Sequence, residues 1–105
     1  MKLDAKIKNN MNKELVIYEA GKILKKHLPR GYKFLIFGSW SRGGALPTSD
    51  IDIGILGKKK VPHDTMMIIR EEAENIPTLR SIDIVDLNAV EEGFKNSVLE
   101  YAKPV

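Results

Sequence analysis

Asp50 and Asp52 flank a single isoleucine at the head of an apolar run, and that spacing restricts what the segment can become. On a β-strand, side chains two residues apart leave the same face. A strand here sends both carboxylates out of one side of a sheet. Like charges so placed are costly unless a cation lies between them. All-oxygen ligation suits a hard ion such as Mg²⁺, which commonly takes one or two carboxylates together with substrate phosphates. Upstream, the apolar run Phe34-Leu35-Ile36-Phe37 is closed by Gly38-Ser39, with ten residues between Ser39 and Asp50. A glycine lets backbone approach phosphate closely, and backbone N–H groups with a hydroxyl suit that anion. Alone, Asp-x-Asp also fits the wet face of an edge strand, and Gly38 a plain turn. Together they read as a metal-dependent enzyme acting on a nucleoside triphosphate.

The rest of the chain alternates helix and strand. Val16, Ala20, Ile23, Leu24 and Leu28 fall at helical spacing, which predicts a helix over about 12–28, ended by Pro29-Arg30-Gly31. Lys33 to Phe37 reads as a buried strand. Ser39 is placed to cap a short turn reaching Gly43, and Pro47-Thr48 leads into a strand from Ile51 to Leu56. A helix over 63–75 follows, stopped by Pro77. Ser81 to Leu87 is the third strand, and Asn88 is read as capping a last helix to about Tyr101. The expected architecture is a small α/β (α+β) domain spanning residues 1–105, a short mixed sheet with flanking helices. Gly54 shares the acid face, weakens the strand locally, and is read as giving room to metals or nucleotide.

At 105 residues there is material for one core. A net charge of +3 does not by itself argue for nucleic acid, which is not expected as a partner. Lys58-Lys59-Lys60, after Gly57, reads as a solvated loop in preference to a phosphate or nucleic-acid contact. The absence of cysteine excludes disulfides and thiolate metal sites and is compatible with a reducing compartment. No apolar run approaches a membrane span, so a cytoplasmic protein without membrane contact is expected. His27 and His63 stand alone, without a partner at metal spacing, and read as exposed or loop histidines. Met66 to Ile69 is mostly core, although four adjacent positions on one helix cannot all face one sheet; the remainder, with Trp40, is available to a partner or a base, and Trp40 equally to local packing.

Gly38-Ser39, Arg42-Gly43 and Ser49-Asp50-Ile51-Asp52 resemble the G-S-x-x-R-G-x-x-x-x-x-S-D-x-D signature of the DNA polymerase β-like nucleotidyltransferases. More narrowly, the chain is similar to the minimal nucleotidyltransferases, often antitoxins paired with a HEPN-domain toxin. The resemblance implies a polymerase β-like fold and a third carboxylate on the last strand. Asp83, in Ile-Asp-Ile-Val, matches it; Asp86 fits the strand end or a cap better. Asp50, Asp52 and Asp83 would then be catalytic and hold one or two Mg²⁺. Gly38, Ser39, Arg42 and Ser49 would serve the nucleotide, with Arg42 on phosphate or paired to an acid, and Ser49 supporting the loop. ATP would be the substrate, and a tyrosine of a HEPN toxin the acceptor of AMP, in a homo- or hetero-oligomer. The alternatives are a small-molecule transferase of the aminoglycoside type, which normally has a further helical domain for which this chain has no room, and a module that neutralises a toxin by contact alone.

Overall fold

Asn12 opens the first helix, α1 (Lys13–His27), by accepting the Leu15 N–H on its side-chain oxygen at 2.9 Å. The computed structural model describes residues 12–38 and 50–105. Glu14 in the first turn of α1 and Lys25, Lys26 and His27 in the last complement the helix dipole. Val16, Ala20 and Leu24, four apart, form its buried stripe. Strand β1 (Lys33–Phe37) pairs antiparallel with β2 (Ile51–Leu56). Helix α2 (His63–Glu74) then carries the chain across to β3 (Ile82–Asp86), which runs parallel to β2. Helix α3 (Glu92–Tyr101) leads into a two-residue edge strand, β4 (Lys103–Pro104), antiparallel to β1. The sheet order is β3-β2-β1-β4. Pro104 sits on an edge strand, where a missing N–H donor costs least.

The register divides the sheet into two unlike faces. Ile51, Ile53 and Ile55 are fully buried beneath α1 and α2, with Ile84 beside them. Each such isoleucine contributes roughly 1.5–3 kcal/mol from burial. On α2, Met66, Ile69 and Ala73 join this core, whereas Met67 and Ile68 are exposed, as four consecutive apolar residues on one helix must be. The other face of the sheet carries a smaller cluster of Phe37, Leu87 and Val98, with Leu35, Leu56 and Val85 against it.

Three local expectations are corrected. Asn88 does not cap the last helix, which begins at Glu92; instead its side chain accepts the Gly57 N–H at 2.9 Å and donates to the Gly57 carbonyl. Gly54 makes room for packing rather than for a ligand. A Cβ there would lie 2.6 Å from Leu87 Cδ1, and Leu87 is fully buried. His27 is not a free surface residue: its Nε2 lies 2.9 Å from Glu72 Oε2, tying α1 to α2. That hydrogen bond, then Lys26, holds the Glu72 carboxyl below its ordinary value against some desolvation.

Asp86 is a structural acid. It is buried, accepting the Val61 N–H at 2.7 Å on Oδ2 and the Asn88 N–H at 2.9 Å on Oδ1. Asp86→Ala strands both donors and is expected to cost about 2–4 kcal/mol, read as a fall in the denaturant midpoint with unchanged slope. Asp86→Asn, which keeps one acceptor, should recover part of that loss.

Candidate active site

The acids meet because of the parallel pairing of β2 with β3. Asp52 is directly opposite Asp83 on one side and Phe37 on the other, so a single row crosses the sheet as Phe37, Asp52, Asp83. Row neighbours share a face. Asp50 lies two residues before Asp52, at the entry to β2, and is exposed, as is Asp83. Asp52 is half-buried. Its carboxyl is raised above the ordinary 3.8, first by desolvation, then by repulsion from Asp83 and from Asp50. Two further negative charges thus act on a carboxylate that has already lost water, and a cation is what such a donor set lacks.

Among the described residues, no three Asp, Glu, His or Cys side chains are gathered tightly enough to form a preformed cage. Asp50, Asp52 and Asp83 therefore share a field without clasping a common point. The donor chemistry, all oxygen and negative, suits a hard divalent ion. Asp86, the sequence competitor of Asp83, is opposite Ile55 in the ladder and is spent on two backbone donors.

Gly38 follows the row's outer residue and takes φ +77. A side chain is excluded there twice over: by that left-handed backbone, and because a Cβ would run into Asp52 Oδ2. The glycine thus lets backbone pass against the central acid. Ser39, Arg42 and Ser49, read from the sequence as nucleotide contacts, lie outside the described residues, and so does Trp40.

Phe37, within the row, forms an aromatic pair that the sequence alone does not signal. The Phe94 ring stands edge-on to Phe37 at a centroid separation of 6.3 Å and an interplanar angle of 84°. Phe94 remains 44% exposed. Its spacing within α3 gives no signal, because the contact joins residues far apart in sequence.

The family model described as polymerase beta, nucleotidyltransferase matches residues 19–105. The chain belongs to this family. No curated protein sequence matches it significantly. Among solved structures, a toxin–antitoxin with AMP-PNP is 25% identical, with a TM-score of 0.68 over 88% of this chain and 71% of that one. A minimal nucleotidyltransferase is 21% identical, with a TM-score of 0.68 over 90% of this chain and 97% of that one. The structure of a tri-AMPylated HEPN toxin of Shewanella oneidensis in complex with MNT antitoxin contains a chain 21% identical, with a TM-score of 0.67 over 87% of this chain and 69% of that one. This nucleotidyltransferase therefore has the polymerase β-like fold expected from its sequence, and it resembles proteins solved in HEPN–MNT complexes. No helix among the described residues is long and apolar enough to cross a membrane.

Proposed function

We propose that the chain transfers AMP from ATP to a hydroxyl of a HEPN-type toxin and thereby acts as its antitoxin. The observation that supports this most is the row that sets Asp52 beside Asp83 with Asp50 two residues ahead, in a chain of this family. The neighbours add weight: one is a toxin–antitoxin with AMP-PNP, another a HEPN toxin carrying AMP in complex with an MNT antitoxin.

Asp50, Asp52 and Asp83 would hold one or two Mg²⁺, which when bound would neutralise phosphate charge and lower the pKa of an acceptor hydroxyl. Asp83, exposed at the row's outer side, would accept the proton of that hydroxyl. The freed oxygen attacks the α-phosphorus, the bond from the α-phosphorus to the bridging oxygen breaks, and pyrophosphate leaves. The backbone at Gly38, with Ser39, Arg42 and Ser49, would orient the triphosphate. Most of the catalytic effect would come from alignment and charge, since phosphoryl chemistry asks little else of a protein.

The test is transfer of label from α-labelled ATP with Mg²⁺ into source-cell lysate, with the Asp50→Asn/Asp52→Asn protein alongside. A discrete labelled protein, missing with the variant, is the expected result. Label confined to small molecules would instead indicate an aminoglycoside-type transferase. No label with any nucleotide, while a partner still co-purifies, would leave a contact-only antitoxin.

A further inference from the structure

We propose that the end of the sheet opposite the acid row binds single-stranded nucleic acid. Pro29, Arg30, Gly31, Tyr32, Lys58 and Lys59 line a recess of about 330 Å³ there. That volume lies within the range of small-ligand clefts, roughly 300–1,000 Å³. Of the six described residues that line it, three are cations and none is a carboxylate. Arg30, Lys58 and Lys59 form no ion pair among the described residues.

The loop that carries the lysines is fastened at three points. Asn88 bonds both the N–H and the carbonyl of Gly57, the Tyr32 hydroxyl donates to the Lys59 carbonyl at 3.0 Å, and Asp86 accepts the Val61 N–H. A backbone so tied fixes where the lysine stems leave the loop and lowers the backbone ordering cost of binding an anion. Tyr32 lines the recess with the cations, part of its ring lying against Gly57. An aromatic face flanked by lysine and arginine matches a base beside its own phosphate, the pairing by which single strands are held without sequence preference. A carboxylate-rich peptide has no use for the ring, and a lipid surface would call for a flat array rather than a recess.

The recess is separate from the acid row. Phe37 ends β1 and Tyr32 immediately precedes it, five residues apart, roughly 16 Å along an extended chain. A triphosphate at the acids would not reach it.

Fluorescence anisotropy of 5′-labelled adenylate and uridylate RNA hexamers, in EDTA to silence the acid row, tests the proposal. Both hexamers should bind, with log affinity falling against log salt at a slope of about −2 for three phosphate contacts. Lys58→Glu/Lys59→Glu should weaken binding at least about tenfold and flatten the slope. These side chains are exposed, so the variant should keep the wild-type circular dichroism and melt. Tyr32→Leu should weaken binding with the slope unchanged. Absence of hexamer binding by the wild type, or binding insensitive to the charge reversal, would overturn the proposal. Polyglutamate competing as well as RNA would overturn it in favour of a general anion patch. AMP competing at equal phosphate concentration would overturn it in favour of a free-nucleotide site.

Discussion

Asp52→Asn is expected to lower nucleotidyl transfer by about a thousandfold, which corresponds to roughly 4 kcal/mol of transition-state stabilisation. The same substitution should raise stability when no metal is present. The Asp52 carboxyl is raised in the folded chain by burial and by Asp83 and Asp50, so its ionisation opposes folding. Its favourable contribution is complete below the unfolded value of 3.8 and is lost as pH rises through the higher folded value. At neutral pH in EDTA the amide should therefore melt above the wild type, by less than about 1 kcal/mol because Asp52 is only partly shielded from water. The gap should close as pH falls toward 4 and should reverse with Mg²⁺, which stabilises only the chain that binds it. Thermal melts from pH 4 to 8, with EDTA or Mg²⁺, give the four curves needed. A wild-type melt indifferent to Mg²⁺, combined with an asparagine variant that is less stable in EDTA, would remove the metal from the account.

Gly38→Ala should damage both fold and chemistry. Forcing an alanine to φ +77 costs about 1–2 kcal/mol. The added Cβ also meets the Asp52 carboxylate, so either the backbone after β1 or the acid must move. A displacement of about 1 Å at a reacting group is enough to lose roughly a hundredfold in rate. Assayed well below its lowered melting point, the variant should lose transfer by about that factor. Full activity in a destabilised protein would mean that Gly38 serves the turn alone and does not fix Asp52.

Strands β1 and β2 were legible almost to the residue, because short apolar runs bounded by turn residues, and in β2 an acid alternating with isoleucines, have one periodicity that buries the isoleucines. Asp83 was singled out by the family resemblance rather than by periodicity, and its place opposite Asp52 required knowing that β3 pairs parallel to β2. Asn88 misled because its type suits a helix cap, yet the nearest unsatisfied backbone lay across the fold at Gly57. Strand β4 is two residues long and includes a proline, so nothing local announced it. Gly54 carried the right warning with the wrong reason: its missing side chain serves Leu87. The Phe94–Phe37 contact and the His27–Glu72 bond are long-range and left no local pattern.

The row joining Phe37, Asp52 and Asp83 also guards the alignment of the sheet. Successive residues of a strand face opposite ways, so a slip of β3 by one position would thrust Asp83 among the buried isoleucines and turn Ile84 to water. Antiparallel β1 and parallel β3 both read their position from β2, and on β3 the exposed acid penalises a slip by one. Charge here acts as a proofreader during folding. A chain that reaches a stable sheet has, by that fact, already set Asp83 beside Asp52.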